Sequence, residues 1–264
     1  MKRIIGLLTL AAMLAVPSLA LAEGQTGVYI APRFSYGFTQ MNGMKASGTH
    51  QYHPYDDFSA KIGNKTDNAF GGALAVGYDF QQRFRVPVRA ELEYAVFSQV
   101  RGRRNALMRD LGGANKAFGN AEQKIQTQTL FVNVCYDFHN DTAFTPYLGG
   151  GVGLAFLRSK GSFAFDIYDA NGKPAPNELA DFSLGTKNRT NFAWNIGTGV
   201  AYNITNNATL DLGYRFAGLG RSETRRGAGW NTSEYHPAPD LVTAKAKSKN
   251  IYMHQVSIGL RYSF

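Results

Sequence analysis

Two arginines and two glutamates in this chain fall where a charge needs a partner. Arg33, Glu91, Glu93 and Arg215 each lie in a segment whose apolar residues recur at every second position. Each occupies the opposite phase, among Gly, Ala, Ser and Asn. An ion on the small-residue face of a closed sheet loses solvation unless it is paired. The pattern therefore predicts that Arg33 and Arg215 pair with Glu91 and Glu93 across a lumen, and that this network closes the lumen. Asp79, Asp137, Asp211 and Arg261 share that phase nearer the short turns.

Reactive pairings are scarcer. A nucleophile needs a base within hydrogen-bond reach. His254 falls on the apolar phase of the last segment and Ser257 on the opposite one, so the two face different sides. No catalytic residue is assigned. Tyr52-His53-Pro54 and Tyr235-His236-Pro237 sit in the first and last long connections, near His50 in the first case. These histidines could meet at a metal if the two loops fold together, but without a fixed spacing on a rigid element no metal site is assigned, and no cofactor is expected. The single cysteine, Cys135, excludes an internal disulfide and reads as a small inward filler.

The elements that must hold these residues are strands. Alternation runs through Gly27–Thr39, Asn68–Phe80, Val86–Phe97, Ile125–Phe138, Phe144–Leu157, Asn191–Ile204, Thr209–Ala217 and Ile251–Phe264. In the seventh, Leu210, Leu212, Tyr214 and Phe216 oppose Asp211, Gly213 and Arg215. One face is bulky and apolar throughout; the other is too small and polar to fill a dry core. The apolar face must then point to lipid and the polar face line a narrow, hydrated interior. The connections alternate between short (Gln81–Arg85, His139–Ala143, Thr205–Ala208) and long (Met41–Asp67, Ser98–Lys124, Arg158–Arg189, Leu219–Asn250). This predicts an all-β fold: an eight-stranded antiparallel transmembrane β-barrel with short periplasmic turns and four long extracellular loops. Phe80, Phe138, Phe144, Tyr202 and Tyr262 would form one aromatic girdle, and Phe38, Phe70, Phe97, Phe156, Phe192 and Tyr252 the other.

Export is expected from the first residues. Lys2 and Arg3 precede the apolar run Ile4–Val16, and Ala20-Leu21-Ala22 is a cleavage pattern, giving a signal peptide over 1–22 and a barrel over 23–264. The destination is the outer membrane of a Gram-negative-type bacterium, which leaves no role for nucleic acid. Two of the long connections are basic. Ser98–Lys124 carries Arg101, Arg103 and Arg104; Leu219–Asn250 carries Arg221, Arg225 and Arg226, with Trp230 and Tyr235 beside them. Such loops at a membrane rim suit lipopolysaccharide phosphates or acidic glycans.

Pro146-Tyr147-Leu148-Gly149-Gly150-Gly151-Val152-Gly153, the run Trp194 to Tyr202 and the run Leu210 to Phe216 resemble small outer-membrane barrels of the opacity-protein and surface-antigen group. These are related in architecture to the transmembrane part of outer-membrane protein A. The final Val256, Ile258, Leu260, Tyr262, Phe264 is similar to the signal read by the barrel-assembly machinery. The resemblance implies a non-enzymatic surface barrel whose loops adhere to host or surface glycans or proteins. A structural barrel or narrow pore, and a lipid A-modifying outer-membrane enzyme, stay open as alternatives at this point.

Overall fold

The computed structural model describes residues 26–50, 58–110, 116–168, 180–231 and 240–264. The expected leader lies outside them. Ten strands follow in chain order: β1 (Val28–His50), β2 (Phe58–Asp79), β3 (Val88–Phe97), β4 (Val100–Asp110), β5 (Lys116–Asp137), β6 (Phe144–Tyr168), β7 (Ala180–Asn203), β8 (Ala208–Glu223), β9 (Gly227–Asn231) and β10 (Asp240–Ser263). A short helix, α1 (Phe80–Phe84), forms the β2–β3 turn. Asp79 caps it by accepting from the Gln81 amide at 2.9 Å, and Arg85 ends it in the left-handed conformation.

All pairings are antiparallel, and β1 pairs with both β2 and β10, so the sheet closes on itself. Ten strand segments make eight staves. β4 takes up pairing with β5 where β3 leaves it: Val96 faces Gln128, and Val100 faces Ile125. In the same way β9 continues β8 against β10, from Glu223 opposite Lys247 to Gly227 opposite Ala244. Closure satisfies the backbone without an exposed edge, as hydrocarbon requires.

The alternation sorts as a lipid-facing barrel demands. Leu212, Val256 and Ile258 are 50–56 % exposed, while Asp211, Gln255 and Arg261 beside them are buried. Phe70, Phe138, Phe144 and Phe192 point outward at the two ends of the apolar band. Phe97 departs from the expected girdle. It is buried, because it continues the inward phase of Glu91 and Glu93, and its ring occupies the space that a Cβ on Gly71 would take.

The expected long loops are mostly strand. β1, β6, β7 and β10 run 23–25 residues, about twice the ~10 that a tilted strand needs to cross hydrocarbon. Residues 41–50, 58–67, 100–110 and 116–124 all belong to ladders, so the barrel wall continues well beyond the apolar band. Two of the irregularities that carry it there hold glycines with positive φ: Gly43, between Met41 and Met44, and Gly220, opposite Ile251. At each the ladder is interrupted and resumes in the same register, but the phase that points inward is reversed.

The interior is not lined throughout by small and polar side chains as the composition suggests. Above the membrane level it holds an apolar plug built from Met41, Ile125, Leu157, Leu219, Ile251 and Met253, each no more than 2 % exposed, and past the plug a buried hydrogen-bonded cluster of Gln123, Ser159, Ser222 and Ser248. Its membrane-level half is polar.

Candidate functional site

The polar half of the lumen begins with β2. Its inward residues, Gly71, Ala73, Ala75 and Gly77, are small, and they leave room for long side chains of β1 and β3 to meet over them. Arg33 Nη1 donates to Glu91 Oε2 at 2.8 Å and to Glu93 Oε2 at 2.6 Å, and Nη2 donates to Glu91 Oε1 at 2.7 Å. Arg215, from the far side of the barrel, donates to both oxygens of Glu93, through Nη2 at 3.1 Å. The four residues singled out in the sequence are thus in direct contact.

The structure adds residues that pattern alone did not assign to the network. Arg89 clasps Asp137 through Nε at 2.6 Å and Nη2 at 2.8 Å, and its guanidinium lies over the Tyr147 ring at 5.0 Å. The Tyr29 hydroxyl donates to Glu91 at 2.8 Å, and Arg261 approaches Asp211 at 3.8 Å. Arg33, Arg89, Arg215 and Arg261 therefore face Glu91, Glu93, Asp137 and Asp211, and the formal charges cancel. All lay on the inward phase of the sequence. What the sequence did not show was which strands sit opposite across the lumen. The cavity left among these groups, bounded also by Cys135, Asn195 and Ser257, holds about 40 Å³, room for a few waters.

Beyond the plug the outward phase changes from apolar to basic. Arg101 and Arg103 are exposed on β4; Arg221 is exposed on β8, and Arg225 and Arg226 just after it. Lys247 and Lys249 project from β10. Three acidic side chains described on this wall are already engaged. Asp67 accepts from the Arg101 amide at 2.6 Å, Glu122 pairs with Lys124 at 2.9 Å, and Glu223 pairs with Arg189 at 2.9 Å and with Lys187. The hydrogen bond from Lys187 holds the Glu223 carboxyl below the usual carboxylate range. Arg104 and Trp230 lie on β4 and β9 by their backbone, and Tyr235 lies outside the described residues, as do His53 and His236. No cluster of three or more metal-ligating side chains occurs among the described residues.

His254 is an outward residue of the upper girdle. Its ring stacks on Phe38 at 4.8 Å, and Nδ1 meets the Tyr214 hydroxyl at 2.7 Å. Ser257 lines the lumen cavity on the other side of the wall. Val256, Ile258, Leu260 and Tyr262 all face outward, and β10 closes against β1 down to Phe264, whose amide donates to Val28 O at 3.0 Å.

A closed ring of antiparallel strands, apolar outside and charge-neutral within, defines a transmembrane β-barrel of the outer-membrane kind. Residues 7–264 match the family described as "Outer membrane protein beta-barrel domain", and the chain belongs to that family. The outer membrane is therefore its location. It is 30% identical over 251 residues to outer membrane protein PagN of Salmonella typhimurium, covering 93% of each chain. A Rickettsia bellii relative named as a candidate adhesin is 24% identical over 216 residues, covering 82% of this chain and 84% of that one. Neisserial surface protein A, a solved structure, aligns with a TM-score of 0.38 at 18% identity, over 92% of this chain and all of that one.

Proposed function

We propose that this protein is a non-enzymatic surface adhesin, whose barrel carries a basic outer wall and its connecting loops to acidic glycans or proteins of another surface. The observation that carries the reading is the set of exposed cations beyond the membrane band. Arg101, Arg103, Arg221, Arg225 and Arg226 are exposed, and none forms an ion pair with a described residue. Exposed guanidiniums in a fixed array suit sulfate, phosphate and carboxylate groups, which they bind with bidentate geometry. The adhesin name of the Rickettsia relative supports the same direction. A pore is disfavoured by the apolar plug, and lipid chemistry by the separation of His254 from Ser257 across the wall.

The test is a five-site variant, Arg101→Gln, Arg103→Gln, Arg221→Gln, Arg225→Gln and Arg226→Gln, displayed on cells. Attachment to host-cell monolayers and retention on a sulfated-polysaccharide column should both fall sharply, with the barrel still folded. Undiminished attachment would overturn the adhesin reading.

A further inference from the structure

The outer wall over β5, β6 and β7 is graded in a way that matches one class of membrane component. The strand register sets its outward residues in rows across the three strands. Leu130, Leu154 and Phe192 form the first; Gln128, Phe156 and Thr190 the second; Gln126, Arg158 and Asn188 the third. Lys124 and Lys160 stand opposite each other one row further out. Successive rows are about 7 Å apart along the strand. Within about 13 Å of strand the wall thus passes from hydrocarbon-facing side chains through amides and a hydroxyl to a guanidinium.

A cleft of about 290 Å³ opens in this wall, lined by Gln126, Gln128, Phe156, Arg158, Asn188 and Arg189 among others. The two arginines differ. Arg189 is held by Glu223 at 2.9 Å and by Asn191 at 3.2 Å. Arg158 is exposed and pairs with no described carboxylate. The Gln128 carbonyl accepts from the Tyr94 hydroxyl at 3.0 Å, which leaves its amide donors directed elsewhere.

We infer that this cleft is a binding site for a phosphorylated glycolipid of the outer leaflet, of the lipid A type. The acyl chains would lie on Leu130, Leu154 and Phe192. The sugar hydroxyls would meet the Gln126, Gln128, Asn188 and Thr190 side chains, and the headgroup phosphate would meet Arg158, with Lys160 beyond. Three features select this ligand. The apolar and cationic rows lie on one continuous strip at the edge of the membrane band. The free cation is an arginine, suited to a bidentate phosphate contact. The amides between match a sugar better than the short ester linkage of a phospholipid. The site is on the side of the barrel and stands apart from whatever the outer loops bind.

The experiment uses the full barrel in detergent micelles, titrated with diphosphorylated lipid A and with the same lipid enzymatically dephosphorylated, and read by native mass spectrometry. The parent protein should bind the phosphorylated form about tenfold more tightly, the scale of one charged hydrogen-bonding contact. Arg158→Gln should erase that preference, Arg158→Lys should restore part of it, and Lys65→Gln on β2 should leave it intact. Heat-modified electrophoretic mobility checks that each variant is folded. Retention of the preference in Arg158→Gln would overturn the site, as would equal loss in Lys65→Gln, which would indicate diffuse charge attraction instead.

Discussion

Arg33 on β1 and Glu91 on β3 form a two-pronged ion pair, at 2.7 and 2.8 Å, although a whole strand separates them in the sheet. The contact is possible because β2 between them presents Ala73, Ala75 and Gly77 inward. Glu93 then joins this pair to Arg215 on the opposite wall. The lumen is bolted across its width by charges.

Glu93 is the central bolt, 1 % exposed and shared by two arginines. Glu93→Ala leaves both guanidiniums without that partner inside the barrel. Breaking a buried pair from one side costs about 3–5 kcal/mol. Urea unfolding in lipid vesicles, followed by tryptophan fluorescence, should show a loss of that order. An unchanged midpoint would mean the network contributes nothing to stability.

Two glycines five residues apart should respond oppositely to the same change. A Cβ on Gly77 would come within 2.3 Å of the Tyr29 ring, whereas a Cβ on Gly72 meets nothing within 4 Å and faces lipid. Gly77→Val should lower stability by about 1–3 kcal/mol or prevent folding, as overpacking does. Gly72→Val should fold like the parent. Heat-modifiable gel mobility reports both, and equal behaviour would contradict the assignment of inside and outside on β2.

Conductance should be absent. Met41, Ile125, Leu157, Leu219, Ile251 and Met253 plug the lumen above the polar half, where the cavity among the charged groups measures about 40 Å³. Planar-bilayer recordings of the purified barrel should show no discrete, stable openings. A steady channel would require the plug to move aside.

The Glu223 clasp gives a pH prediction. Its carboxyl is held low by the hydrogen bond from Lys187, with Arg189 beside it. A carboxyl depressed in the folded state stabilises that state above its unfolded pKa of about 4.3, and the contribution is lost as pH falls through the lower folded value. The pairing should therefore persist at neutral pH and break only in acid. Carbon-13 titration of the Glu223 side chain should give a midpoint below about 4.3. A midpoint at or above that value would show that the clasp does not form.

The sequence made the membrane-level wall legible because period-two alternation survives wherever one face meets lipid. It also placed Arg33, Glu91, Glu93 and Arg215 on the inner face. It could not show Arg89 closing on Asp137, since that depends on which residues the β3–β5 register brings side by side. The outer half of the barrel read as loop for a different reason. At Gly43 and Gly220 an irregularity interrupts the alternation, so Met44 and Ser222 point inward where unbroken alternation would turn them out. Polar and basic residues on the outer phase of those extensions then look like loop composition. Ile125, Leu157 and Ile251 carried the missed signal: apolar residues on the inward phase at the very ends of the recognised segments, where a hydrated lumen would not place them.

The most direct test of the account is oxygen accessibility of nitroxide labels along β10, in a Cys135→Ser background reconstituted into lipid bilayers. Labels at Val256, Ile258 and Leu260 should collide frequently with lipid-dissolved oxygen, and labels at Gln255 and Ser257 rarely, giving a period of two. A flat or inverted profile would contradict a barrel whose bulky face meets lipid and whose charged face is enclosed.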